Sequence, residues 1–171
     1  MMIQGIPFKE VMSTLTDGVK GAIPAVMLLA LAYSVNALSS QMGTANYIIN
    51  MTEGLLTPHL LPAIIFLVSA VMAFATGSSW GTFAIGMPIA LPLGLNFTGG
   101  TLTILVIASF AAVAGGGVFG DHCSPLSDTT VLSSTGAAAD HIDHVKTQLP
   151  YALVCGALAM AAYLVVGFCF V

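Results

Sequence analysis

Arginine is absent from this sequence, and charge of either sign is scarce. The 171 residues include three lysines and seven acidic residues, so that charged side chains make up 6% of the chain. Soluble domains carry about 25% charged residues, and these few charges could not cover the surface of a soluble domain of this length. The lysines form no basic patch, which excludes nucleic acid as a partner.

Cysteine is sparse as well, and its pattern predicts neither a disulfide framework nor a zinc centre. Cys155 and Cys169 lie in an apolar run, where a small buried hydrophobe is the ordinary role. His122 adjoins Cys123, the third cysteine, but no second Cys or His pair follows at the spacing that a zinc site needs. Phosphate loops and Ser-His-Asp arrangements are also missing, so the sequence predicts no cofactor.

Hydrophobic residues, in contrast, make up 57% of the chain and form long runs. Residues 54–120 contain no Asp, Glu, Lys or Arg. Because a membrane-spanning helix needs about 20 apolar residues, this run is long enough to cross a bilayer about three times. The sequence therefore predicts an all-α membrane protein, a polytopic helical bundle in which residues 1–171 form a single transmembrane unit.

Four segments are predicted to lie in the membrane. A first span, a hairpin, a broken helix and a last span cover residues 21–40, 60–95, 101–139 and 150–171, respectively. The polar stretch before the last span is predicted to be a connector, and its residues Asp140 and Asp143 suit a helix N-terminus, where carboxylates meet free backbone N–H groups.

The hairpin is recognised by a polar tip inside apolar sequence. The segment TGSSWGT at 76–82 separates two short apolar stretches, the second of which contains Pro88 and Pro92. This pattern is typical of a re-entrant hairpin, because non-helical backbone at membrane depth needs protein or a watery cavity around it. Two alternatives remain open: two short full spans with a tight turn, and a tip whose small residues serve only helix–helix contact.

The strongest polar signal is GDHCSPLSDTT at 120–130, which follows a run of glycines and lies between apolar stretches. We interpret it as a discontinuous helix, unwound around residues 120–128. It contains Asp121 and Asp128, and a carboxylate at the bilayer centre costs at least about 2.5–3.5 kcal/mol. With no arginine in the chain and no lysine nearby, a cation or a proton is the natural partner. An aqueous loop of ordinary turn residues is the alternative.

Oxygen atoms suit hard cations, and the two polar segments supply many of them. Sodium is predicted to bind two carboxylates, with hydroxyl groups as neutral ligands: Asp121, Asp128, Ser78, Ser79, Ser124, Ser127 and Thr129. An unwound helix adds free carbonyl groups and helix-end dipoles. We therefore expect the hairpin tip and the helix break to meet near the membrane midplane and to form one ion site.

The remaining polar residues have simpler interpretations. His141 and His144 are three residues apart and share one helical face, for which a solvated position is favoured over a metal pair. The lysines, Lys9, Lys20 and Lys146, fall on one side of the predicted topology. Because basic residues concentrate in cytoplasmic segments, the N-terminus is predicted to be cytoplasmic.

An enzyme is the less favoured interpretation of two aspartates in a membrane. Aspartyl proteases of the membrane carry glycine, any residue, glycine and aspartate, whereas Val118 occupies the first of these positions here. Such a protease also needs its second aspartate on a separate helix, and Asp128 follows Asp121 within the same short segment. The sequence therefore predicts a transporter and no enzyme.

The segment GDHCSPLSDTT, with the glycine run before it and GSSWGT further upstream, resembles the NhaC-type sodium/proton antiporter family. The resemblance implies a cell-membrane protein built from two repeats of inverted topology, each with one such hairpin and one such break. This chain has one copy of each motif and resembles the C-terminal repeat, one half of an inverted-repeat ion transporter. A further chain is then expected to supply the N-terminal repeat.

The resemblance favours sodium/proton antiport but leaves other functions open. Related members look like exchangers of organic acids or amino acids that use the same ion site. A third possibility is an inactive truncated fragment or an accessory membrane subunit. In each case the protein is expected to lie in membrane lipid. For a transporter, the transported sodium ions and protons are the expected small partners.

Overall fold

The computed structural model describes residues 7–42, residue 47 and residues 57–170. Within this part of the chain there are six α-helices and no strand. They are α1 (Phe8–Gln41), α2 (Leu61–Thr76), α3 (Ser79–Phe97), α4 (Ile104–Cys123), α5 (Asp128–Gly136) and α6 (His141–Phe170). A 3₁₀ turn, Pro58–Leu60, leads into α2. Val171, which ends the predicted last span, lies outside the described residues.

Helix length and apolar composition make this a multi-pass membrane protein. In the described ranges, four helical segments are long and apolar enough to cross a bilayer: Pro58–Thr76, Ser79–Phe97, Ile104–Cys123 and His141–Phe170. The predicted all-α, polytopic fold is thus confirmed. The re-entrant course of α2 and α3 and the inverted repeat remain predictions.

Among the described helices, α2 and α4 share the most extensive contact, the α2–α4 seam, and they run parallel and end side by side. A Cβ atom on Gly116 would collide with the carbonyl oxygen of Phe66, and one on Gly120 with the carbonyl oxygen of Ala70. Small residues let two helix backbones approach closely in a membrane, where van der Waals packing drives association. The glycine run thus explains why the ends of α2 and α4 lie next to each other.

Two further helices pack antiparallel to α4. Gly86 of α3 faces the side chain of Val113, and Gly156 of α6 faces the ring of Phe119. α1 contacts α3. As a result, the beginnings of α3 and α6 lie at the same end of the bundle as the ends of α2 and α4.

The helix break is shorter than predicted. Unwinding was expected around residues 120–128, but only residues 124–127 lie between the helices, so that Asp121 belongs to α4 and Asp128 begins α5. The proline in the break explains why α4 stops where it does. A proline cannot donate the next helical hydrogen bond, and it pushes the residue before it, Ser124, into extended backbone (φ −78°, ψ 128°).

The helices that contain the two predicted outer spans begin before those spans do, α1 well before residue 21 and α6 before residue 150. Asp140 caps α6, because its Oδ1 accepts hydrogen bonds from the backbone N–H groups of Ile142 (2.9 Å) and Asp143 (3.1 Å). The predicted connector is therefore helical, and Pro150 lies inside α6. A single missing N–H is tolerated in membrane helices and does not end this one.

Candidate functional site

The hairpin tip joins α2 to α3 through two residues. Gly77 takes the left-handed conformation (φ 66°) that ends α2, and its N–H bonds the carbonyl oxygen of Ala73 at 2.8 Å. Ser78 is extended and caps α3, with its Oγ accepting a hydrogen bond from the N–H of Gly81 at 3.2 Å. Ser79, half-buried, is the first residue of α3.

The break between α4 and α5 lies directly against this tip. A Cβ atom on Gly77 would stand only 2.7 Å from the backbone carbon of Leu126. The buried Ser124 donates a hydrogen bond from its Oγ to the carbonyl oxygen of Phe74, at 2.8 Å, and accepts one from the N–H of Leu126, at 3.2 Å. The two breaks therefore meet, as expected, while their depth in the membrane remains a prediction.

Asp121 is the buried carboxylate of the site. It lies in the last turn of α4 and is 4% exposed, and its Oδ1 has no hydrogen-bond partner among the described residues. The described ion pairs join other residues and are exposed, Lys20 with Asp17 (3.4 Å) and Lys146 with Asp143 (3.5 Å). A buried carboxylate oxygen without a donor is energetically costly, so the Oδ1 atom of Asp121 is an unsatisfied acceptor among the described residues.

Asp128, by contrast, is exposed. It is the first residue of α5, and its Oδ1 accepts a hydrogen bond from the N–H of Thr129 at 3.0 Å. The neighbouring hydroxyl groups of Ser127 and Thr129 lie 2.7 Å apart, the first buried and the second exposed. A carboxylate at a helix N-terminus is stabilised by the free N–H groups and the dipole of the helix, so Asp128 does not need an ion as its partner.

The structure brings the predicted ligands to one end of the bundle, although not in a single closed cage. Two of the predicted hydroxyl ligands, Ser78 and Ser79, belong to the tip or adjoin it, and three belong to the break or adjoin it: Ser124, Ser127 and Thr129. The two carboxylates stand on either side of the break. No three His, Cys, Asp or Glu side chains converge on a metal position in the described part of the chain. The oxygen donors here are hydroxyl groups, carbonyl groups and one buried carboxylate, a set that suits a hard cation.

One residue of this region was not recognised from the sequence. His141, expected to be solvated, is half-buried, and its Nε2 lies 2.8 Å from the carbonyl oxygen of Pro125 in the break. Its neighbour His144 reaches only Ser133 of α5, at 3.3 Å. The contact of His141 joins positions sixteen residues apart across two helix ends, and no local sequence pattern signals it.

Interrupted apolar helices with a buried carboxylate next to an interruption are typical of ion-coupled membrane transporters. A profile of the Na+/H+ antiporter family matches residues 1–168. The chain therefore belongs to the Na+/H+ antiporter family, whose members are secondary transporters. The resemblance to NhaC-type antiporters found in the sequence is confirmed by this match. No solved structure gave a significant match.

Several relatives are similar along nearly the whole of this chain. An uncharacterized protein of Haemophilus influenzae is 44% identical over 151 residues, which are 88% of this chain and 28% of that protein. The arginine/ornithine antiporter ArcD of Halobacterium salinarum is 31% identical, over 95% of this chain and 33% of its own length. The malate-2H(+)/Na(+)-lactate antiporter of Bacillus subtilis is 29% identical, over 96% and 34%. This chain thus spans about a third of the length of these relatives.

Proposed function

We propose that this chain carries an ion-binding unit of a secondary antiporter that exchanges sodium ions for protons. The observation that carries the proposal is the Oδ1 atom of Asp121, which is buried and has no donor in the described part of a chain without arginine. A proton or a sodium ion can each neutralise this carboxylate, and both cannot do so at once. Competition for one carboxylate is sufficient to couple the two fluxes.

The hydroxyl groups near the two breaks are the proposed neutral ligands. Ser127 and Thr129 lie beside Asp128, and Ser78 and Ser79 lie on the tip that contacts the break. Asp128, being exposed, is proposed as the carboxylate that an ion meets first on its way to Asp121. Only the neutralised site should cross the membrane readily, because a bare charge in lipid is costly.

A complete transporter is proposed to contain more than this unit. The relatives are about three times as long as the matched segment, and ion sites of such transporters lie where two repeats meet. We therefore propose that an N-terminal repeat, in the same or another polypeptide, covers the exposed side of the break. We also propose a plasma-membrane location with a cytoplasmic N-terminus, which places all lysines on one side.

Exchange assays on the complete assembly test this proposal. In everted membrane vesicles, Asp121→Asn should abolish sodium-dependent proton movement, because the neutral amide takes up no proton near neutral pH and lacks the negative charge for which the two ions compete. Asp128→Asn should weaken the exchange less severely. Asp143→Asn, which removes an exposed carboxylate on α6, is the matched control and should leave exchange unchanged. Normal exchange in Asp121→Asn, with the protein present in the membrane, would refute the assignment.

Organic-solute exchange is the second candidate function. Two relatives that match 95% and 96% of this chain are named as an arginine/ornithine antiporter and a malate-2H(+)/Na(+)-lactate antiporter. Uptake of labelled arginine, malate or lactate by the same vesicles separates the candidates. Uptake driven by a sodium or proton gradient and lost in Asp121→Asn would favour this function. If neither ions nor solutes move, an inactive fragment or an accessory subunit is the remaining possibility.

A further inference from the structure

His141 links the start of α6 to the break between α4 and α5. Its Nε2 lies 2.8 Å from the carbonyl oxygen of Pro125, and its Nδ1 lies 3.2 Å from the Oγ of Ser134. The ring is half-buried, and Ser134 is buried. One imidazole therefore connects three segments: α6, the break and α5.

The proton positions follow from the partners. A carbonyl oxygen only accepts, so the Nε2 atom of His141 must carry a hydrogen. The Ser134 hydroxyl also lies 2.9 Å from the carbonyl oxygen of Val131. It can give its single hydrogen to Val131 or to Nδ1, and in both arrangements the Nε2–H bond to Pro125 is retained. When the hydroxyl hydrogen points to Nδ1, Ser134 also holds the ring in the orientation that bonds the break.

The Pro125 carbonyl lacks its ordinary helical partner. In a continuous helix this oxygen would accept from the N–H of Thr129, four residues further on. That N–H instead donates to the Oδ1 of Asp128, at 3.0 Å. His141 replaces the missing donor, so that the carbonyl group of the break is satisfied and Thr129 is free to orient the carboxylate.

We propose that His141 is a positioning residue of the ion site, which holds the Ser124–Ser127 segment in its unwound shape by donating to Pro125. The proposal rests on the proposed function for its consequence in transport, but the shape of the break can be measured separately. The shape of this segment sets the positions of the hydroxyl ligands and of Asp128. Loss of the His141 donor should therefore weaken ion binding more than it lowers the maximal rate of exchange.

A labelling experiment tests the shape of the break without any transport. Leu126 in the break and Leu132 on α5 are both 70% exposed, so Leu126→Cys and Leu132→Cys form a matched pair of maleimide targets in a chain freed of its native cysteines. His141→Ala should raise the labelling rate at position 126 several-fold and leave position 132 unchanged. His144→Ala, one turn further along α6, should change neither. An unchanged rate at position 126 in His141→Ala would overturn the proposal.

A transport experiment on the complete assembly tests the consequence. His141→Ala should raise the sodium concentration for half-maximal exchange roughly tenfold, the factor expected for one lost hydrogen bond. His141→Gln should restore it, because the glutamine amide can reach Pro125 with an N–H group, while His144→Ala should behave as the parent. A glutamine variant as defective as the alanine variant, at parental amounts in the membrane, would count against the proposal. Absence of exchange in the parent would instead refute the proposed function and leave the labelling result standing.

Discussion

The two breaks in the helices touch each other, yet their polar groups are satisfied in different ways. At the hairpin tip the partners are close in sequence: the N–H of Gly77 bonds Ala73, and the Oγ of Ser78 caps the N–H of Gly81. All of these partners lie within four residues of the turn. The shape of the tip is therefore largely determined by its own sequence.

The break between α4 and α5 depends on distant partners. Ser124 donates to Phe74, fifty residues away, and the carbonyl group of Pro125 accepts from His141. Alongside its local hydrogen bond from Leu126 to Ser124, this break therefore has partners on the end of α2 and the start of α6, which the tip's own capping bonds do not require. The comparison teaches that the shape of the tip depends on nearby residues, and that the shape of the break depends in addition on the positions of other helices.

The largest effect is expected where the two breaks touch. Gly77→Ala should cost about 1–2 kcal/mol for left-handed backbone with a side chain, plus about 1–3 kcal/mol for the clash with Leu126. Gly99→Ala is the matched control, because Gly99 has the same handedness (φ 62°) and nothing within 4 Å of its added Cβ atom. Unfolding midpoints in detergent measure the difference. Equal losses in the two variants would show that the contact between the breaks contributes nothing.

A somewhat smaller effect is expected in the seam that brings the breaks together. Gly120→Ala places a Cβ atom against the backbone of Ala70 and Phe74, and should cost about 1–3 kcal/mol because two helices must move apart. The control is Gly136→Ala, at the end of α5, where an added Cβ atom meets nothing within 4 Å. The same unfolding measurement applies, and a Gly120→Ala protein as stable as its control would contradict the proposed role of the seam.

The smallest effects on stability are expected from two serine variants, which compare a local hydrogen-bond partner with a distant one. Ser78→Ala and Ser124→Ala each remove one hydroxyl group, and each should cost about 1 kcal/mol of stability, as for a lost cap or a lost buried hydrogen bond. Only Ser124→Ala should also raise the maleimide labelling rate of Leu126→Cys because, of these two serines, Ser124 alone ties the break to another helix. If both serine variants raise that rate equally, the distinction between the breaks does not hold.

Much of the fold could be predicted from the sequence because the signals are local. Apolar runs gave the membrane helices, and glycine and proline marked both interruptions within a few residues of where they lie. The main error was the extent of the break: the sequence predicted unwinding around 120–128, and the helix persists through Asp121. Helical hydrogen bonds continue until the proline forces a stop, and a cluster of polar residues alone does not end a helix.

The candidate site was predictable only in its composition. Asp121 and Asp128 are equivalent in the sequence, two aspartates in one polar segment, whereas one is buried without a partner and the other is exposed at a helix N-terminus. Asp121 lies in the last turn of α4, next to Gly120 of the α2–α4 seam, whereas Asp128 follows the break at the start of α5. Sequence reasoning likewise missed His141, whose partner belongs to a different segment.

Composition and backbone chemistry alone determined that this is a helical membrane protein, that its acidic groups in apolar sequence lack basic partners, and where its helices are interrupted. These properties depend on hydropathy and on φ and ψ preferences, which act over a few neighbouring residues. Tertiary packing decided which carboxylate is buried, that the two interruptions touch, and which histidine bonds the break. Those features depend on helices far apart in sequence, and on glycines small enough to let their backbones meet.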